Sequence, residues 1–133
     1  MRIFVDTNII ISAGLFPESI VAKVFQHIIT NHKIILCKQT IEEVKSVCKR
    51  KFPGRIKIVN AFLNSLEYEL IDFHNFDKTK YPEIRDDCDI PILASAIESN
   101  ADILISGDKD FEEVKIKKPK IINLKKYIEE YMP

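Results

Sequence analysis

The chain has 133 residues, 46% apolar and 30% charged, and its twenty basic and twenty acidic residues cancel. That balance excludes a disordered chain, and it supplies no overall field to draw nucleic acid, although a local basic patch can coexist with an acidic pocket. No stretch approaches the roughly 18 apolar residues of a membrane span, and three cysteines (Cys37, Cys48, Cys88) without a C-x-x-C pair argue against zinc or a disulfide framework.

Arg2-Ile3-Phe4-Val5 is short, mostly apolar and bounded by polar residues, which reads as a buried strand of a parallel sheet. It ends in Asp6-Thr7-Asn8, and in open α/β sheets ligands bind beyond the carboxyl ends of strands. Ile9 to Gly14 is an apolar stretch that must bury itself beneath that edge. Pro17 is expected to open a helix, whose apolar stripe of Ile20, Val21, Val24, Phe25, Ile28 and Ile29 ends at Asn31-His32. Ile34-Ile35-Leu36 then makes a second strand, so the opening is β-α-β with parallel strands.

A helix is expected from about Thr40, with Ile41, Val44, Val47 and Cys48 inward. Thr40 to Glu43 fits a capping box, which is the structural explanation of Glu43; the other is that Glu43 points at the strand ends and Asp6. The basic run Lys49, Arg50, Lys51, Arg55 and Lys57 surrounds a Pro53-Gly54 turn and reads as a solvated helix end or as an RNA phosphate contact. A further helix over Ile56, Val59, Leu63 and Leu66 leads to a strand near Leu70-Ile71, and residues 74–86 form a polar loop.

Asp89 stands near the N-cap of a helix containing Pro91 and ending at Asn100, so capping would explain it. Asp102 to Ser106 is another buried strand, and Gly107 permits a sharp turn that delivers Asp108 to the edge where Asp6 lies. Asp108 has the same capping alternative. A lysine-rich turn, an edge strand at Ile121-Ile122 and a helix from Asn123 or Leu124 complete the chain. His27 and His32 are read as surface residues, five apart and off a common helical face. With no repeat or linker, and with Asp6 and Asn8 breaking any signal-peptide pattern, the expectation is a single cytoplasmic domain over residues 1–133. Its fold class is α/β, a three-layer sandwich with a central, mostly parallel sheet flanked by helices.

Asp6, Glu43, Asp89 and Asp108 therefore all fall at strand ends or in first helical turns, which converge on one rim of such a sheet. Like charges about 4 Å apart repel by about 4 kcal/mol at an effective dielectric near 20, so the cluster needs cations. Oxygen-only ligands select Mg²⁺ or Mn²⁺ over zinc, and a metal so held binds phosphate oxygens and activates water. The sequence carries no P-loop and no Ser-His-Asp or Cys-His pattern.

Phe4-Val5-Asp6-Thr7-Asn8, Glu43-Val44, Asp89 to Ala96 and Leu104 to Phe111 resemble, in order and spacing, the four motifs of the PIN domain. The resemblance runs from Arg2 to about Tyr131 and is strongest to the small toxins of prokaryotic toxin–antitoxin pairs. It implies an endoribonuclease dependent on Mg²⁺ (or Mn²⁺), with Asp6 and Asp89 as main metal ligands and Glu43 and Asp108 completing the acidic pocket. Asp110 would assist through water, while Thr7, Asn8 and Ser106 would orient the carboxylates by hydrogen bonds. It further implies an RNA substrate, a homodimer and an antitoxin partner. Arg85-Asp86-Asp87-Cys88-Asp89 is richer in acids than the usual pattern, so Asp86 or Asp87 could share the role of Asp89. The alternative is a PIN-like module that binds RNA or protein without chemistry. A phosphotransfer protein with Asp6 as nucleophile is disfavoured by Asn8, where a haloacid-type phosphatase has a second aspartate.

Overall fold

The computed structural model describes residues 1–73, 77–86 and 89–133. The strands are β1 (Arg2–Val5), β2 (Lys33–Cys37), β3 (Tyr68–Ile71), β4 (Ile103–Ile105) and β5 (Lys120–Ile122). The helices are α1 (Thr7–Leu15), α2 (Ile20–Asn31), α3 (Lys38–Lys51), α4 (Ile56–Ser65), α5 (Ile90–Glu98), α6 (Lys109–Glu112) and α7 (Leu124–Tyr131). Short 3₁₀ turns lie at Pro53–Arg55 and Lys78–Lys80.

The five strands form one parallel sheet in the order β3-β2-β1-β4-β5. Alternate strand residues feed opposite faces. Ile3, Val5, Ile34, Leu36, Ile103 and Ile105 pack under α1, α2, α3, α4 and α7. Phe4, Ile35 and Leu104 pack under α5 and α6. Both faces are covered, which is why these strands read as nearly unbroken apolar runs. The expected three-layer α/β sandwich is what forms.

From β1 the chain winds outward through β2 to β3, then returns to place β4 on the other side of β1. Strand order therefore reverses between β1 and β4, and the crevice at their carboxyl ends is where an open α/β sheet accommodates a ligand.

Several local expectations are corrected. Pro17 lies in the turn before α2, and Ser19 is the cap, its Oγ accepting from the Ala22 amide at 3.1 Å. The capping box at Thr40 does not form, because β2 runs directly into α3. Cys37 is both the last strand residue and the N-cap, its Sγ accepting from the Thr40 amide at 3.4 Å. Glu43 is thereby relieved of capping. Asn100 does stop α5, in the left-handed conformation (φ 59°) that asparagine tolerates better than most residues. His27 is half-buried rather than on the surface, because its Nδ1 lies 2.8 Å from the Tyr127 hydroxyl. Its ring is 6.2 Å from that of His32, so α7 joins what spacing along α2 had separated. Cys37 and Cys48 are buried free thiols, and Cys88 lies outside the described residues. Among the described residues no single helix is long and apolar enough to cross a membrane.

Candidate functional site

Asp6 follows β1 directly and caps α1, its Oδ1 accepting from the Thr7 amide at 2.7 Å. Its other oxygen, Oδ2, accepts from Ser106 Oγ at 2.8 Å, just beyond the end of β4. Ser106 Oγ in turn accepts from the Asp108 amide at 3.0 Å, and Asp108 Oδ1 accepts from the Asp110 amide at 2.9 Å. A continuous chain of hydrogen bonds thus ties the ends of two neighbouring strands together across a hundred residues of sequence. Gly107 takes no left-handed backbone, so the turn that delivers Asp108 does not depend on glycine's conformational freedom.

Asp89 stands at the N-cap of α5, yet its side chain makes no capping hydrogen bond. Its Oδ2 is buried with no partner among the described residues, an arrangement that ordinarily costs about 1–3 kcal/mol. One carboxylate oxygen from each of Asp89, Asp108 and Asp110 lies within 4.8 Å of the other two. Two unit charges at that spacing repel by roughly 3 kcal/mol at an effective dielectric near 20, before solvent screening reduces it.

The titration of Asp89 records this crowding. Burial, then the charges of Asp108, Asp86, Asp6 and Glu43, push Asp89 up to about 7. Asp6 is raised chiefly by burial, against the lowering hydrogen bonds from Ser106 and Thr7. Glu43 is exposed as a residue, but its carboxyl is raised by partial burial and by Asp6. The Thr7 hydroxyl faces Glu43 and favours its charged form without meeting directed hydrogen-bond geometry. Asp6, Glu43, Asp86, Asp89 and Asp108 therefore feel one another, and Asp87 lies outside the described residues.

Not every candidate takes the expected position. Thr7 does hydrogen-bond Asp6, through its amide. Asn8 is exposed and lines a cavity with Asp108, and its side chain makes no hydrogen bond to the acids among the described residues. In the basic run, Arg55 Nη1 donates to the Leu15 carbonyl at 3.3 Å, at the end of α1 opposite Asp6. Lys49, Arg50 and Lys51 form the last turn of α3, whose second turn holds Glu43. The structure brings the acids together.

Sequence reasoning missed Arg85. Its Nη1 lies 3.9 Å from Asp110 Oδ1, on the outer flank of the cluster. The only signal was a single cation immediately before the acidic run, and nothing in its spacing pointed to Asp110.

The donor set fits a hard divalent cation: all ligand atoms are carboxylate oxygens, and Asp89, one of the three residues, carries a buried, unpartnered oxygen. Among solved structures, the chain is similar to one in the crystal structure of VapBC2 from Rickettsia felis bound to a DNA fragment from their promoter. The two are 21% identical with a TM-score of 0.70, over 92% of this chain and 98% of that one, a likeness of fold. No curated protein matches it in sequence. The profile of the PIN domain matches residues 2–110, a span holding the whole acidic rim, and the chain belongs to the PIN domain family.

Proposed function

We propose that this PIN domain is a Mg²⁺- or Mn²⁺-dependent endoribonuclease that hydrolyses RNA phosphodiester bonds, and that it is the toxin of a toxin–antitoxin pair. The observation that carries the reading is the convergence of Asp89, Asp108 and Asp110 within 4.8 Å, beside Asp6. Asp6, Asp89, Asp108 and Asp110 would hold the cation. What a bound cation supplies is Lewis acidity, positive charge for phosphate oxygens and activation of a water.

The chain's own groups do the rest. Ser106 and the Thr7 amide fix both oxygens of Asp6, so the carboxylate cannot rotate away from the rim. Asp108 is held by the Asp110 amide on one oxygen, which leaves the other for a ligand. Glu43, raised above the ordinary range, is suited to accept and return a proton during hydrolysis. The likeness to a VapBC2 chain supports an antitoxin partner. Exposed Phe16 and Ile20, at the turn between α1 and α2, support a homodimer. The same reading carries the expectation of a single cytoplasmic domain.

The test is cleavage of a labelled RNA in Mn²⁺, with EDTA and Asp6→Asn as controls. Loss of a ligand is expected to lower the rate by more than about 100-fold, and Mn²⁺ calorimetry on the wild type is expected to show binding. Undiminished cleavage by Asp6→Asn overturns the assignment. Absence of Mn²⁺ binding leaves the non-catalytic module instead.

A further inference from the structure

We infer that the cleft between α3, α4 and the start of β3 is a binding site for inorganic phosphate, held by Lys45, Asn60, Asn64 and Tyr68. The inference does not depend on the ribonuclease reading, because none of these residues belongs to the acidic rim. A cavity of about 260 Å³ opens there, lined by Ile41, Lys45, Asn60, Leu63, Asn64 and Tyr68. It falls just below the range of about 300–1,000 Å³ usual for drug-sized ligands, which suits a small ion.

Helical spacing builds the walls. Ile41 and Lys45 are four apart on α3, and Asn60 and Asn64 are four apart on α4, so each pair occupies one helix face. The two helices pack against each other, and Tyr68, the first residue of the edge strand β3, adds a third wall. Leu63 is buried and Ile41 half-buried, so apolar side chains back a cleft whose other four lining residues are polar. Among the described residues, the side chains of Lys45, Asn60, Asn64 and Tyr68 make no hydrogen bond or ion pair. An ammonium, two amides and a phenol are thus left for solvent or a ligand.

Charge selects an anion. From Val44 to Leu66 the chain carries Lys45, Lys49, Arg50, Lys51, Arg55 and Lys57 and not one acid. No acid lines the cleft either, whereas the larger cavity beside Asp110 brings Glu83 and Glu113 with its cations. Lys45 supplies the directed contact. The other cations supply a field, which salt weakens beyond about 8 Å at physiological ionic strength.

The mixture of donors and acceptors narrows the choice of anion. Each asparagine offers a carbonyl oxygen as well as an amide N–H₂, and the tyrosine hydroxyl can donate or accept. Sulfate is fully ionised and has no proton for such acceptors. Inorganic phosphate keeps at least one P–OH at neutral pH, while its remaining oxygens take the ammonium and amide protons. A doubly ionised phosphate monoester has an ester oxygen in place of that P–OH and lacks the donor.

Calorimetry of the full chain with phosphate, sulfate and methyl phosphate tests the site, at neutral pH and physiological salt. EDTA is included so that no metal at the acidic rim contributes, and NMR of the asparagine side-chain amides locates the binding. Phosphate is expected to half-saturate the chain at about 1 mM or below, shifting the Asn60 and Asn64 amides. Sulfate and methyl phosphate bind about tenfold more weakly. Lys45→Ala weakens phosphate binding about tenfold or more, and Lys45→Arg, which keeps the charge and donors, by about threefold. Asn64→Ala narrows the preference for phosphate over sulfate to about threefold or less. Lys57→Ala, which alters the field and no contact, stays within about twofold of wild type. Lys45 and Asn64 are exposed, so these variants are expected to melt with wild type. Sulfate binding as tight as phosphate overturns the site in favour of a diffuse field. So does a loss in Lys57→Ala equal to that in Lys45→Ala. Methyl phosphate binding as tightly as phosphate overturns the choice of inorganic phosphate and assigns the cleft to a monoester. Absence of binding up to about 10 mM, or binding that leaves the Asn60 and Asn64 amides unmoved, overturns the site outright.

Discussion

The two ends of β1 handle charge in opposite ways. At the start, Arg2 Nη1 meets Glu69 Oε2 at 2.6 Å, and the Arg2 amide donates to Asp102 at 2.8 Å. Lys33 and Lys118 approach the same two acids at 3.7 and 3.6 Å. Both carboxyls are held below their ordinary range, Glu69 first by the hydrogen bond from Arg2 and Asp102 first by the Arg2 amide. At the far end, one strand length away, Asp6, Glu43 and Asp89 are all raised, each chiefly by burial, with the charge of Asp108 adding at Asp6 and Asp89 and that of Asp6 adding at Glu43. At the first edge Arg2, Lys33 and Lys118 answer the two acids directly. At the other edge Arg85 reaches Asp110 only at 3.9 Å and the acids outnumber it, a condition that favours a divalent ion.

Three perturbations sharpen or break this contrast. Ser106→Ala has the largest expected effect, because it removes the donor to Asp6 Oδ2 and the acceptor for the Asp108 amide together. Leaving buried partners unpaired costs about 1–3 kcal/mol in thermal unfolding, and loss of ligand orientation costs roughly 10–100-fold in Mn²⁺ affinity. An affinity equal to wild type would show that the rim does not depend on this relay.

The second concerns pH. The folded value of Asp89, about 7, lies above its ordinary 3.8, so between those limits the folded chain keeps a proton that the unfolded chain has lost. Its contribution is therefore most favourable near the acid end of that window and is lost as pH rises through about 7. Without metal, Asp89→Asn is expected to melt a few degrees higher than wild type at pH 8, with the difference shrinking toward pH 5. Stabilisation of the wild type by Mn²⁺ grows in the opposite direction, since the ion competes with the proton. A pH-independent difference would break the comparison at its acidic side.

The smallest effect belongs to Glu69→Gln at the paired edge. Both side chains are about one-third exposed, so loss of the pair costs about 0–1 kcal/mol. The lowered carboxyl contributes stability that is present above its unfolded value and lost as pH falls through the folded one, so the deficit fades in acid. Mn²⁺ affinity stays unchanged, and a marked drop would mean the two edges are coupled.

Much of the rim was legible because strand ends are legible. Val5 giving way to Asp6, and Ile105 to Ser106, mark where buried backbone emerges, and in a parallel sheet all such points share one edge. The first turn of α3 was legible only in part. A buried cysteine took the capping role that Thr40 offered, because the strand leads into the helix with no intervening residue. Asp89 carried a capping explanation that its geometry discards, and no pattern distinguishes a capping carboxylate from one turned aside by neighbouring acids. Arg85 and the His27–Tyr127 contact escaped for another reason: each depends on elements distant in sequence meeting in space.

The match to the PIN domain ends at Asp110, yet β5 and α7 come afterwards. The amide of Ser106 donates to the Ile122 carbonyl at 3.0 Å, and Tyr127 is fully enclosed in the core. The stretch without a recognisable motif is thus the buttress behind the residue that joins Asp6 to Asp108. A chain cut at the last motif would retain every acid of the rim and lose the support that keeps them in register.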